Sequence, residues 1–178
     1  MGLSVEWRDR TPAAEGIERR GPIAQRIQTL LIDDLDGGEA AGNSLVILNG
    51  HGGNYVLSNI AQEGSAQGKR MALFPTGEDW TEARTSAGLV SSGYEDMHAG
   101  EIETSILLHA HPELVRDGYQ AADWVANDRR HLLARGMQQY TQSGVIGRPS
   151  LGSAEKGKAV LASTVESFAP VLEILQKQ

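Results

Sequence analysis

Apolar positions along this chain change their period several times, and each change marks an element. From Ile23 the pattern is helical, with Ile23, Ile27, Leu30, Leu31 and Leu35 on one face, and it stops at Gly37-Gly38. Leu45 to Leu48 is a continuous, partly β-branched apolar run, the pattern of a strand covered on both faces by helices, and Asn49-Gly50 ends it. After Gly53, Asn54 is the predicted N-cap of a helix whose face holds Val56, Leu57, Ile60 and Ala61. Arg70 to Phe74 reads as the next strand, closed by Pro75, and Asp79 to Ser86 as a short helix. Past Ser91-Ser92-Gly93, the residues Ile102, Ile106 and Leu107 mark a helix that ends before Pro112, and Trp124 to Tyr140 is read as helical too. From Ser153 on, Leu161, Val165, Phe168, Leu172 and Leu175 form one stripe, with a kink expected at Pro170. Strand and helix alternate, which predicts an α/β fold with a parallel sheet and helices on both sides. Residues 1–22 hold Arg8, Arg10, Arg19 and Arg20 with Pro12 and Pro22 and show neither period, so they are read as a poorly ordered arm before a domain spanning 23–178.

A chain of 178 residues is the size of one domain and long enough to bury roughly 70% of its unfolded surface. Sixteen Lys and Arg against 23 Asp and Glu give a net charge of -7. That balance argues against nucleic acid and anionic membrane as partners, since both need a basic face, and favours a small-molecule partner. There is no cysteine, so disulfides, a thiol nucleophile and thiolate metal sites are excluded and any metal must be held by His and carboxylates. No apolar run exceeds the four residues of Leu45 to Leu48, and the N-terminus shows no signal-peptide pattern, so a cytoplasmic location is expected.

Two clusters carry chemistry. Asn49-Gly50-His51-Gly52-Gly53-Asn54 follows a predicted parallel strand, where α/β sheets bind ligands. Its glycines allow a sharp turn and close approach of the backbone while the imidazole of His51 is presented at the strand tip. The alternative is a plain glycine-rich turn with an inert His51. The second cluster runs from Tyr94 to Ser105 and places Glu95, Asp96, His98, Glu101 and Glu103 within nine residues. Glu101 and Glu103, two apart on a helix, point in different directions, so they do not read as a paired acid and base, and one of them can face the strand tips; the alternative is an acidic first turn favoured by the helix dipole. His98 precedes the helix in a loop, where catalytic side chains are commonly placed. His51, His98 and at least one of Glu101 and Glu103 are expected to converge on one cleft. His109 and His111 beside Pro112 read as structural, and His131 among arginines as a surface residue.

The stretch Leu45 to Asn54, the run His98-Ala99-Gly100-Glu101-Ile102-Glu103-Thr104-Ser105, Pro112-Glu113-Leu114-Val115 after it, and Ser153 to Gly157 ahead of an amphipathic helix resemble, in order and spacing, the creatininase family of creatinine amidohydrolases. The resemblance implies a three-layer α/β/α domain with a central mainly parallel sheet and a homo-oligomer, often a hexamer. It also implies a dinuclear centre of Zn, Mn or Fe that hydrolyses carbon–nitrogen bonds other than peptide bonds, in cyclic or linear amides, through metal-activated water. Relatives include formamide deformylases and a peptidase of cofactor maturation. Carried over residue by residue, His51 is a metal ligand and His98 the proton shuttle between nucleophile and leaving nitrogen. Either Glu101 or Glu103 supplies a ligand, with Glu103 favoured because it occupies the family's Glu-Thr-Ser position. Tyr94, Glu95 and Gly52, with Trp80, fall on the substrate pocket.

The chain also departs from the family. Gly53 stands where creatininases carry a second metal-binding Glu. The N-terminal Glu-x-His-Gly-Pro-His pattern has only the echo Glu18-Arg19-Arg20-Gly21-Pro22-Ile23, with Arg and Ile in the histidine positions. On this reading the N-terminal metal-ligand segment is missing, Asp33, Asp34 and Asp36 read as a solvated helix end, and metal binding by the chain as written is expected to be weak. Two other readings stand beside the amidohydrolase: a non-catalytic or truncated homologue acting as an oligomer subunit, and a nucleotide-binding domain using Gly50 to Gly53 as a phosphate cradle. The last lacks the spacing of a dinucleotide fingerprint and ranks lowest.

Overall fold

The structure, a computed structural model, describes residues 44–177. The predicted arm, the helical pattern from Ile23 to Leu35 and the aspartates Asp33, Asp34 and Asp36 lie outside the described residues. Strand β1 (Leu45–Leu48) and strand β2 (Met71–Phe74) pair in parallel, Leu45 opposite Met71 and Leu48 opposite Phe74. The ladder continues past both ends, from Leu45 N–H to the Arg70 carbonyl at 2.8 Å and from Asn49 N–H to the Phe74 carbonyl at 2.7 Å. Helix α1 (Val56–Ala66) makes the crossover between them. The α/β architecture with a parallel sheet is as the alternation predicted. Among the described residues β1 pairs with β2 alone, so β1 is half-buried rather than covered on both faces, and Leu48 is 73% exposed.

Helix α1 starts without a side-chain cap. Asn54, the predicted cap, instead gives its side-chain amide to Asn49 Oδ1 at 3.0 Å and offers its backbone carbonyl to Leu57 N–H. Helix α2 (Gly77–Ser86) begins two residues before its apolar pattern because Thr76 and Asp79 form a reciprocal capping box, with Thr76 N–H on Asp79 Oδ2 at 2.7 Å. Helix α3 (Glu101–Ala110) ends before Pro112 as expected. The predicted long helix over Trp124 to Tyr140 does not form: only α4 (Leu132–Arg135) and short 3-10 turns occur there. Gly136, at φ +75°, closes α4, and the Trp124 backbone is drawn into a two-bond antiparallel bridge with Gly147 at 2.9 and 2.8 Å.

Helix α5 (Ala154–Lys177) runs as one element through Pro170. Ser153 precedes it and accepts from Lys156 N–H at 3.3 Å, so the predicted start holds. Its buried face follows the predicted stripe only in part: Leu175 is buried and Phe168 packs on Phe74, but Val165 and Leu172 are exposed. Gly157, Val160, Ser163, Thr164 and Leu175 are buried, while Val165 is 73% exposed. The reason is close approach: a Cβ on Gly157 would stand 1.9 Å from the Ser105 carbonyl oxygen of α3. Small residues let the two helices touch backbone to backbone, and the Thr164 hydroxyl is satisfied by the Val160 carbonyl at 3.1 Å. By length and composition α5 would suit a membrane span, but one face packs on α2, α3 and β2. Ala83, Ile102 and Val160 form the core between α2, α3 and α5, with Trp80 and Ile106 against it. Phe74 and Phe168, rings 4.9 Å apart and tilted by 51°, join the sheet to α5. Gly157→Ala is therefore expected to destabilise by about 1–3 kcal/mol through overpacking, read as a lower urea midpoint; an unchanged midpoint would mean that α3 and α5 do not approach this closely.

Candidate functional site

The carboxyl ends of β1 and β2 open on a cavity of about 900 Å³, lined among others by His51, Gly52, Trp80, Arg84, Asp96 and Glu103. The loop after β1 is organised by Asn49, whose Oδ1 accepts from His51 N–H at 3.2 Å and from the Asn54 amide. His51 is exposed, and its Nδ1 accepts from Gly53 N–H at 2.9 Å, so the neutral ring carries its proton on Nε2. Gly53 permits this fold-back, since a Cβ there would lie 2.8 Å from His51 Cε1. Trp80 and Arg84 reach the cavity from α2, one helical turn apart.

The second cluster divides. Glu103, exposed on the first turn of α3, lines the cavity, and its carboxylate accepts from the Ala99 N–H. Ala99 is the one described non-glycine residue with positive φ, at +50°, so that carboxylate braces a strained turn directly after His98. Glu101 does not line the cavity. Its carboxylate is fully buried and bonded to Lys156 Nζ at 2.6 Å, Ser91 N–H at 2.7 Å and Val90 N–H at 3.1 Å. Burial pushes this carboxyl up, but Lys156 and the two amides outweigh it and hold it below the ordinary carboxylate value. In this arrangement Glu101 ties α3 to α5 and to the loop before the site.

His98 stands between Met97 and Glu103, which line the cavity, but its own ring does not; Nδ1 is 2.9 Å from the Gly144 carbonyl oxygen. The expected convergence thus reaches His51 and Glu103, with His98 one residue from the cavity wall. Tyr94 and Glu95 also lie off the cavity wall. The Tyr94 hydroxyl donates to the Asn127 carbonyl, and the Arg129 guanidinium, 4.5 Å above its ring, donates to its backbone carbonyl. Glu95 accepts from Ser92 N–H at 3.2 Å and from its hydroxyl, and pairs with Arg148 at 3.5 Å; the Ser92 hydrogen bonds, then Arg148, hold its carboxyl below the ordinary value.

Sequence reasoning assigned no role to Asp96 or Arg84. The Asp96 carboxylate, 1% exposed, pairs with Arg84 at 2.9 Å, and the same Oδ2 caps α3 through Ile102 N–H at 2.9 Å. Its Oδ1 is buried without a hydrogen-bond partner among the described residues, against Gly100, where a Cβ would stand only 1.8 Å away. The signal for Asp96 was its place in the ionisable cluster; Arg84 had none.

The family profile described as creatinine amidohydrolase matches residues 30–172. The chain belongs to the creatininase family. Similar creatininase-family proteins include the mycofactocin precursor peptide peptidase of Mycobacterium ulcerans (strain Agy99), 29% identical over 147 residues, 80% of this chain and 53% of that protein. The protein of the same name from Mycobacterium tuberculosis (strain ATCC 25618 / H37Rv) is 31% identical over 130 residues, 68% of this chain and 45% of its own. The chain spans about half the length of the curated relatives it matches. A mutant creatininase complexed with creatine superposes with a TM-score of 0.61 at 19% identity, covering 85% of this chain and 65% of that one. A second mutant, type II, gives 0.59 at 19% identity, covering 84% and 63%. At that identity these two structures establish the shared fold.

Creatininases are hydrolases and depend on metal in general. The described residues do not by themselves fit such a centre. Among them no group of three His, Asp or Glu is placed to hold a metal, whereas a catalytic zinc takes three protein ligands. The Gly53 amide also occupies the His51 nitrogen that would otherwise be free to coordinate while Nε2 keeps its proton.

Proposed function

We propose that this chain serves hydrolysis of an amide carbon–nitrogen bond in a substrate of peptide size, bound over the carboxyl ends of β1 and β2. The observation that carries the reading is the cavity of about 900 Å³ lined by His51 and Glu103 at the tips of a parallel sheet, the usual ligand position in this architecture. Ligand pockets run from about 300 to 1,000 Å³, so this one is large for a small cyclic amide and suits a peptide segment, in keeping with the relatives named as precursor-peptide peptidases. Trp80, with the apolar positions around it, supplies contact area, and Arg84 and Asp96 neutralise each other at the wall. Within this reading Glu103 holds the turn that places His98, and the substrate reaches past the wall residue Met97 to the His98 ring, which carries a proton to the departing nitrogen. A metal there needs ligands from beyond the described residues in addition to any that His51 and Glu103 give.

The test is a hydrolysis panel of creatinine, an N-formyl amine and short peptides, with the full chain supplied with Zn or Mn. Peptide cleavage above the rates for the two small amides is expected. Preference for creatinine or the formamide would overturn the peptide assignment, and no turnover of any substrate would favour the non-catalytic homologue.

A further inference from the structure

Among the described residues the ring of His98 has one hydrogen-bond partner, and it is a backbone carbonyl. A carbonyl oxygen only accepts, so the 2.9 Å contact to Gly144 requires a proton on His98 Nδ1. The neutral ring then has its lone pair on Nε2. That contact is built rather than incidental. The His98 backbone is held to the same segment by paired bonds, His98 N–H to the Ile146 carbonyl at 3.0 Å and Ile146 N–H to the His98 carbonyl at 2.9 Å. On its far side the segment is pinned to Trp124 through Gly147, and the Trp124 indole N–H donates to the Tyr140 carbonyl at 2.7 Å. Inside the turn, the buried Thr141 hydroxyl oxygen accepts from Gly144 N–H at 3.1 Å, and Ser143 Oγ accepts from Val145 N–H at 3.2 Å. Gly144 itself sits at φ +90°, a conformation that side-chain-bearing residues rarely adopt.

We infer that the 141–147 turn is a positioning device for His98: its Gly144 carbonyl, set by Thr141, fixes the imidazole as the Nδ1–H tautomer and leaves Nε2 as the nitrogen that takes and gives the proton. One segment therefore fixes both where the histidine stands and which of its nitrogens is basic. The catalytic use of that nitrogen rests on the proposed hydrolysis; the tautomer does not. His51 is set the other way, its Nδ1 accepting from Gly53, so backbone groups give the two histidines opposite tautomers.

The test is long-range proton–nitrogen NMR on the nitrogen-15-labelled full chain, at a pH well above the ordinary imidazole value of about 6.5. Wild-type His98 is expected as Nδ1–H and His51 as Nε2–H. Thr141→Val, which removes the acceptor under Gly144 at nearly constant volume, and Gly144→Ala, which strains the turn, are expected to return His98 toward Nε2–H. In a chain that cleaves a panel substrate, the same variants are expected to lower kcat about 10-fold, the lower end for loss of a group orienting a functional histidine, with KM unchanged. Nε2–H in wild-type His98, or an Nδ1–H signal unmoved in a folded Thr141→Val protein, would overturn the inference. If the tautomers are as expected but His98→Ala leaves turnover intact, the proton role of His98 in the proposed hydrolysis fails and the positioning stands; if the tautomers are as expected and no panel substrate is cleaved, the hydrolytic reading fails and the positioning stands.

Discussion

Glu101→Ala is expected to cost the fold about 3 kcal/mol, the low end of the range for breaking a buried ion pair. The carboxylate has no exposed surface and serves three donors, Lys156, Ser91 and Val90. Truncation leaves the buried Ser91 amide without its acceptor and opens a void between α3 and α5. The low end applies because the Lys156 side chain is 24% exposed and Val90 is largely exposed, so water reaches two of the orphaned donors. Chemical denaturation at neutral pH measures this, and an unchanged midpoint would remove Glu101 from the framework. The sign with pH follows from its lowered carboxyl. Burial raises it and Lys156 and the amides lower it further, so the native value lies below the unfolded one. The contribution is complete above the unfolded value of about 4.3 and is lost as pH falls through the native value. Glu101→Gln is expected to flatten the acid limb of wild-type stability below about pH 4, because an amide side chain has no charge to lose.

That pair also explains where the sequence could and could not be read. Leu45 to Leu48 and Arg70 to Phe74 were legible as strands because each is an apolar run closed by residues that end a ladder, Asn49-Gly50 and Pro75. Helix α5 was legible as a helix but only in part by its face. Apolarity picked out Leu161 and Val165, while the contact with α3 runs through Gly157, whose value is closeness rather than area, and through Val160 against Ile102. The segment from Trp124 to Tyr140 failed for a related reason: Trp124 is bridged to Gly147 and Gly136 stops the one short helix, and a long-range bridge leaves no local period to detect. At the site, His51 and Glu103 were found from strand-tip position and motif, and they do share a cavity. Glu101 looked chemically identical to Glu103, and what separates them is Lys156, 55 positions away. The partner of His98 is a main-chain carbonyl 46 positions away, for which a side-chain pattern carries no symbol.

His98→Ala is expected to lower kcat on a cleaved substrate by about 10²- to 10⁴-fold, the range for removing a positioned general acid or base, with KM changed little. The selectivity follows from how the residue is held. Its backbone bonds to Ile146 do not involve the side chain and persist in the variant, as does the Glu103 brace on Ala99. Among the described residues the ring contact that is lost is the one to Gly144, a cost of about 1 kcal/mol, so the protein should remain folded with a slightly lower midpoint. Because Met97 and Glu103 carry the cavity wall on either side of it, the wall itself stays in place and ground-state binding is spared. A fall in kcat at constant KM in a folded variant therefore isolates a group that acts in the transition state. Turnover within about 3-fold of wild type, less than about 1 kcal/mol of barrier, would instead assign the ring to holding the 141–147 turn and return the search for the proton carrier to His51 and Glu103.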